Sequence, residues 1–376
     1  MSSTTTNAPK IKTYSNNASA LTFTVESCDV SIVNALRRIV LSEISIYGIR
    51  AFPNSENKVT FTSNTSRLNN EILKQRLTCI PICHLHTIKN FNAEYESYRI
   101  QLNASNNTNT IRYVTTEEFK VVKMSESNAT ATQIPTSKVF PPDSISNDYI
   151  EFVRLLPGEE VRFHCSLDIC NAKTDGAYNV VHTCSYGCTP NAEEQSKKRR
   201  EIDAAILAEE DGVKKKNLEH NKKDWELLDA SRIHLSNSFD FIIESVGIYS
   251  NLEILKKACI IMINKCENLQ TQPHSETVEP VYKSNNTFNI HLKNEDYTLG
   301  KAIEYFIFYN YYNKSDGILQ FCAFKKPHPH SHNSFIQITY KNPVEHAEVV
   351  SHLHACVEKC IITFRSLHDR FEEMES

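Results

Sequence analysis

One pattern occurs twice in this chain. Leu21 to Ser27 (LTFTVES) alternates like a strand, and Asp29 then precedes Ser31-Ile32 and Ala35-Leu36. Near the other end, Thr287 to Leu292 (TFNIHL) is strand-like, and Asp296 precedes Thr298-Leu299 and Ala302-Ile303. The offsets after each aspartate match one for one, which predicts an internal pseudo-repeat of strand followed by helix. In the first copy Ser31 reads as N-cap, and Ile32, Ala35, Leu36, Ile39 and Val40 fall on one face. At about 100° per residue, Asn34, Arg37, Arg38, Leu41 and Ser42 gather on the opposite face. Two guanidinium groups flanking an exposed leucine fit a solvated basic face or a protein-binding surface, and pattern alone leaves both open. In the second copy Thr298 is the expected cap.

Two further helices carry apolar seams. Asn251 to Leu269 places Leu252, Leu255, Cys259, Met262, Cys266 and Leu269 at alternating spacings of three and four. A closing helix from about Pro343 to Glu373 places Val350, Leu353, Val357, Ile361, Phe364, Leu367 and Phe371 on one side. A one-sided stripe of that length needs a partner helix. The expected pairing is intramolecular, through Leu252, Leu255, Met262, Val350, Leu353, Val357, Ile361 and Phe364, across a flexible linker at 269–286 that holds the halves at millimolar effective concentration.

Between the repeats, residues 51–232 read as an insert of short strands, with turns at Asn103 to Asn109 and Leu156-Pro157-Gly158. Asn70 to Leu85 reads as a short helix stopped before Pro81, and Met124 to Pro142 as a surface loop. Residues 193–232 form a charged helical segment broken near Asp211-Gly212. Its Lys197 to Arg200 and Lys214 to Lys216 runs are candidate nucleic-acid or nuclear-import patches, but interleaved acids cancel their field. Residues 1–10 are small and polar, the composition of a disordered tail.

At 376 residues the chain is long enough for two or three domains. A net charge of -4 gives no general reason to bind phosphate backbones, so DNA is expected to be reached only through other chains. Twelve cysteines and no apolar leader imply a reducing compartment with free thiols. No run approaches the roughly 20 apolar residues of a membrane span, so no membrane association is expected. Cys79/Cys83, Cys165/Cys170 and Cys184/Cys188 invite a zinc reading, with Cys165, Cys170, Cys184 and Cys188 as the candidate set, but none has the C-x2-C spacing of structural knuckles. His328, His330 and His332 alternate on a proline-bearing segment without a nearby acidic or thiol cluster. No hydrolase, phosphate-loop, zincin or paired-carboxylate motif frames the remaining polar residues. No catalytic residue, cofactor site or metal site is assigned.

Asn34-Ala-Leu-Arg-Arg-Ile, followed by Ser-Glu-Ile and an aromatic residue, resembles the signature helix of the alpha-like assembly subunits of multisubunit RNA polymerases: those of bacteria (alpha) and archaea (D-like), and the third-largest subunit of eukaryotic RNA polymerase II. Glu71, Arg76, Leu77, Ile80 and Pro81 resemble that family's Glu-x4-Arg-Leu-x-x-Ile-Pro segment, Thr115 to Phe119 its Thr-Ser-x-acid element, and Ile150 to Val161 its Gly-x-Glu hairpin. Of its Lys-Gly loop only Lys173 and Ala177 survive. Glu244-Ser-Val-Gly with the following seam helix resembles the second half of the family's dimerisation domain. Glu295 to Gly300, the Lys325-Lys-Pro-His-Pro corner and the terminal helix resemble a different polypeptide, the eleventh subunit of RNA polymerase II or its archaeal L-like counterpart. A four-cysteine zinc loop found in many eukaryotic relatives is missing, since no cysteine lies between Cys83 and Cys165, and iron-sulfur clusters lack support.

The resemblance implies an α+β fold of two pseudo-symmetric dimerisation halves, each an antiparallel sheet plus helices, with a mainly β insert. Residues 11–50 and 233–268 would form the first half, 51–232 the insert and 287–376 the second half. It implies a noncatalytic scaffold that nucleates association of the two largest polymerase subunits. Asn34, Arg37, Arg38 and Leu41 would dock the second-largest, while the second half and parts of the insert lean toward the largest. Small polymerase subunits are further implied partners, and homodimerisation is not expected. Such fusions resemble those of large cytoplasmic DNA viruses, implying host cytoplasm and virion, or the nucleus if the source is cellular. Two readings from other classes stand beside it: a free-standing nucleic-acid-binding regulator using the basic insert segment, and a zinc-dependent enzyme built on the cysteine pairs.

Overall fold

The computed structural model describes residues 8–17, 20–88, 91–124 and 132–375. Strands β1 (Lys10–Asn16) and β2 (Ala20–Glu26) lead into α1 (Val30–Ser42) and the short β3 (Ile46–Gly48). Then come β4 (Val59–Asn64), α2 (Asn70–Thr78), α3 (Phe91–Glu94), β5 (Tyr98–Ser105), β6 (Arg112–Thr115), β7 (Lys120–Lys123), β8 (Thr132–Ile134) and α4 (Thr136–Val139). Strands β9 (Glu151–Leu155), β10 (Glu160–Ser166), β11 (Asp168–Cys170) and β12 (Val181–Pro190) precede a helical hairpin, α5 (Ala192–Ala208) and α6 (Gly212–Leu227). The chain returns through β13 (His234–Ser245), α7 (Asn251–Thr271), α8 (His274–Thr277) and β14 (Val278–Pro280). It ends with β15 (Thr287–Leu292), α9 (Tyr297–Ile307), β16 (Leu319–Lys325), β17 (Ser334–Tyr340) and α10 (His346–Glu373). This is an α+β fold.

The chain divides into two compact units, the first of Met1–Arg37, Thr183–Ile243 and Met262–Ser376, the second of Arg38–His182 and Glu244–Ile261. The first unit holds two four-stranded sheets, ordered β1-β2-β13-β12 and β14-β15-β17-β16. In the second of these sheets every neighbouring pair is antiparallel, with Ile290 opposite Ile336 and Cys322 opposite Ile338. Alternation along β2 buries Leu21, Phe23 and Val25. Phe23 stacks on Phe241 of β13 at 4.9 Å between centroids and meets Phe371 of α10 edge-on at 5.5 Å. All three rings are at most 2% exposed. Lys265 of α7 reaches Glu295 at 2.8 Å, with both side chains largely buried, and Arg365 reaches Glu267 at 3.3 Å.

The second unit is mainly β. Its five-stranded sheet runs β4-β10-β5-β7-β8, accompanied by the two-stranded pairs β3/β11 and β6/β9. Phe119 lies at its centre, met edge-on by Phe140, Phe152 and Phe163 at 5.4 to 5.5 Å. Gly158, at φ +83°, turns β9 into β10 where a side chain would be strained.

Both repeat helices are capped by their aspartate, and not by the residue two positions on. Asp29 Oδ1 accepts from Ser31 N at 2.8 Å and from its Oγ at 2.6 Å, and Asp296 Oδ1 accepts from Thr298 N at 2.9 Å. The carboxylate outcompetes the hydroxyl because it carries full charge at the positive helix end. Four more readings differ from the structure. The stretch 269–286, expected as a linker, holds the last turn of α7, the helix α8 and β14, which pairs with β15 and so needs its backbone fixed. Strand β12, expected within the insert, lies beside β13 in a sheet of the first unit. In 124–142, expected as a loop, β8 pairs with β7 and α4 follows; residues 125–131 lie outside the described residues, as do residues 1–7 of the expected tail. Lys10, also expected in that tail, already begins β1.

Gly300 in α9 is where the helix approaches the sheet most tightly, since a Cβ there would lie 2.0 Å from the Phe324 ring of β16. Gly300→Ala is expected to destabilise the protein by about 1–3 kcal/mol through overpacking, with partial recovery in the double variant with Phe324→Leu, as measured by thermal melting. An unchanged midpoint in the single variant would contradict this packing.

Candidate protein-docking face

Helix α1 positions the face. Ile32, Val33, Ala35, Leu36, Ile39 and Val40 are each at most 2% exposed, a wider buried stripe than the sequence pattern requires because Val33 joins it. Asn34, Arg37, Arg38 and Leu41 occupy the remaining arc at intermediate exposure, so the leucine expected to be exposed is partly covered.

Asn34 Oδ1 accepts from Arg37 Nε at 3.2 Å and from Nη2 at 2.9 Å. The two donors converge on that one oxygen and hold the guanidinium in place along the helix, with Nη1 outside this contact, so less rotamer entropy is lost when the group meets a further acceptor. Arg37 also lies close enough to Cys184 and Tyr186 on β12 for its charge to favour their ionised forms, though burial dominates and pushes the Cys184 thiol up to about 12. Arg38 interacts within the chain as well. Ser42 donates to the Arg38 carbonyl at 2.8 Å in the last turn, where the main chain leaves the helix. Asn34 and Arg37 belong to the first compact unit, and Arg38 and Leu41 to the second. This arc of α1 offers guanidinium donors and a partly covered apolar side chain.

The residues expected to pair the halves are all buried: Leu252 7%, Leu255 0%, Met262 0%, Val350 9%, Leu353 3%, Val357 0%, Ile361 2% and Phe364 0%. Leu252 and Leu255 lie in the second unit and the other six in the first. On α10 the buried stripe also includes Val349, Cys356 and Cys360, which turn a seam into a broad face. Asp29 and Asp296, at the same offset in both repeats, set where α1 and α9 begin.

In the Lys197 to Arg200 run, Arg199 pairs with Glu226 at 2.9 Å and Lys198 with Glu201 at 3.2 Å; in the Lys214 to Lys216 run, Lys214 lies 4.0 Å from Asp211, and farther along α6 Lys222 pairs with Asp203 at 2.6 Å. Of the cysteines considered for zinc, Cys165, Cys170 and Cys184 are buried and Cys188 is exposed. Among the described residues, the group of three potential ligands within 4.8 Å of one another is His368, Asp369 and Glu372, which includes none of them. His328 Nδ1 accepts from the His330 backbone N–H at 3.1 Å, which makes this histidine a corner-forming residue. No helix among the described residues is long and apolar enough to cross a membrane.

Burial raises the thiols of Cys28, Cys184, Cys322 and Cys356 to about 12, so at pH 8 they stay protonated and unreactive. Iodoacetamide at pH 8 is expected to modify exposed Cys79 and Cys188 in the native protein, and buried Cys28, Cys184 and Cys356 only after denaturation. Rapid native labelling of Cys28 or Cys356, read by mass spectrometry, would contradict their placement.

The family model for the RNA polymerase Rpb3/Rpb11 dimerisation domain matches residues 22–266. Curated relatives include the DNA-directed RNA polymerases I and III subunit rpac1 of Dictyostelium discoideum, 26% identical over 68% of this chain and 79% of that protein. The mouse RPAC1 subunit of the same polymerases is 28% identical over 45% of this chain and 51% of its own length. A conjugation stage-specific protein of Tetrahymena thermophila is 27% identical over 45% of this chain and 56% of its own. The chain thus spans about half the length of the last two. With the matched region running from β2 through most of α7, the chain belongs to the RNA polymerase Rpb3/Rpb11 dimerisation domain family.

Proposed function

We propose that this chain is a noncatalytic assembly scaffold of a DNA-dependent RNA polymerase, in which an alpha-like subunit and an eleventh-subunit-like partner are fused into one pseudosymmetric monomer. The observation that carries the reading is the second strand, aspartate-capped helix and sheet at 287–376, which follow a region belonging to a dimerisation family. The contacts of Phe371 with Phe23 and of Glu295 with Lys265 support intramolecular pairing, which would leave little surface for homodimerisation. Seam residues Leu252, Leu255, Met262, Val350, Leu353, Val357, Ile361 and Phe364 maintain that pairing. Asn34, Arg37, Arg38 and Leu41 dock the second-largest subunit, the second half and insert lean toward the largest, and small polymerase subunits complete the assembly. DNA is reached only through those chains. The fusion favours the polymerase of a large cytoplasmic DNA virus, working in host cytoplasm and packaged in the virion; a cellular polymerase would place it in the nucleus. Acid pairing along the α5/α6 hairpin disfavours a free-standing nucleic-acid-binding regulator.

Two variants separate docking from folding. Arg37→Ala with Arg38→Ala is expected to leave the melting temperature within a few degrees of wild type and to reduce co-purification of the two large subunits; normal recovery would refute the docking assignment. Val357→Asp places an uncompensated charge at a fully buried site and is expected to cost roughly 3 kcal/mol or more of stability. Unchanged melting of that variant would refute the role of α10 in the seam.

A further inference from the structure

Helices α7 and α10 both carry cysteines on their buried sides. Cys266 of α7 and Cys356 and Cys360 of α10 are 0% exposed, Cys28 just ahead of α1 is 3% exposed, and each is a free thiol. All four belong to the first compact unit. The thiols of Cys266 and Cys360 are in hydrogen-bond contact, and Cys28 and Cys356 lie near enough for their charge to act on Cys360. The neighbours of Cys266 are anchored as well: Lys265 reaches Glu295 of the second repeat at 2.8 Å, and Arg365 of α10 reaches Glu267 at 3.3 Å.

A buried cysteine is ordinarily a small apolar side chain. This pair differs because its members touch through sulfur and come from two helices, one ahead of the second repeat and one at its end. We propose that Cys266 and Cys360 form a latent staple, which a small-molecule disulfide such as oxidised glutathione converts to a disulfide bond while α10 is undocked, locking the closing helix to α7. One thiolate attacks the oxidant, forming a mixed disulfide and releasing one glutathione. The other thiolate attacks the protein sulfur of that mixed disulfide, forming the Sγ–Sγ bond and releasing the second glutathione. Two electrons pass from the protein thiols to the oxidant, and both protons end on the released glutathiones.

Burial sets the order of events. With both cysteines 0% exposed, an oxidant cannot reach them once α10 is seated. The contact with Cys266, and then burial, hold the Cys360 thiol well above the ordinary thiol range, so in the folded chain it is no nucleophile. Oxidising surroundings during folding therefore leave a bond, reducing surroundings leave two thiols, and docking of α10 preserves whichever was made. The bond closes a long loop, which restricts the unfolded chain and stabilises the fold. None of this rests on the scaffold reading.

The test is refolding of the full chain from denaturant, either in a buffer rich in oxidised glutathione or with dithiothreitol. The folded monomer is alkylated, digested without reduction and mapped by mass spectrometry. The expected result is a Cys266–Cys360 linked peptide in most of the oxidised chain, with a melting midpoint about 5–10 °C above that of the reduced chain. Each variant is compared with itself, oxidised against reduced: Cys266→Ala and Cys360→Ala lose that difference, and Cys79→Ala keeps it. Absence of the linked peptide, linkage of Cys360 to Cys28 in its place, or an unchanged difference in Cys360→Ala overturns the proposal. The wild-type map decides even where a variant fails to fold. Chain folded first under reduction and then given the same oxidant is expected to acquire the link at least about tenfold more slowly than refolding chain, and an equal rate overturns the gating by burial.

Discussion

The T-shaped contact between Phe371 and Phe23 ties the closing helix to the opening sheet. Phe23 also stacks on Phe241, so one ring serves both the pairing of β2 with β13 and the docking of α10. Edge-to-face and offset pairs of this kind contribute about 0.5–1.5 kcal/mol beyond area burial. The greater effect is organisational. With α10 seated, Val357, Ile361, Phe364 and Leu367 are removed from water, and a 28-residue amphipathic helix no longer presents an unpartnered stripe.

The polar contacts of the same unit serve a different end. Lys265 with Glu295 is largely buried, and such a pair gains little net stability because desolvation offsets attraction. What it supplies is register: α7 and the second repeat have one arrangement in which neither charge is stranded. The capping aspartates act similarly at the level of single helices, fixing where α1 and α9 begin and hence which residues face outward. Asn34 then fixes Arg37, and a loosely defined basic face becomes an oriented donor.

Sequence pattern reached far in some places because the constraint was local. The strand-aspartate-helix offsets, the buried alternation of β2 and β15, the seam of α7 and the break between α5 and α6 all follow from periodicity or turn chemistry within a dozen residues. It failed where the deciding partner was distant. Val278–Pro280 looks like linker because it is short and ends in proline, yet it becomes an edge strand once β15 offers it a ladder. Strand β12 sits in the first unit because β13, more than forty residues later, provides its neighbour. Ser31 and Thr298 are acceptable caps in isolation, and only the geometry shows the aspartates taking that place.

The sequence by itself determined the repeated unit, the apolar stripes and the residue types on the α1 face, since these depend on side-chain chemistry at helical and strand spacing. Tertiary structure alone decided which stripe meets which, how far Leu41 and the arginines are covered, and that Phe23 near one end of the chain meets Phe371 near the other. Those outcomes depend on contacts between residues hundreds of positions apart, where burial and charge pairing are set by the fold and leave no periodic trace in the chain.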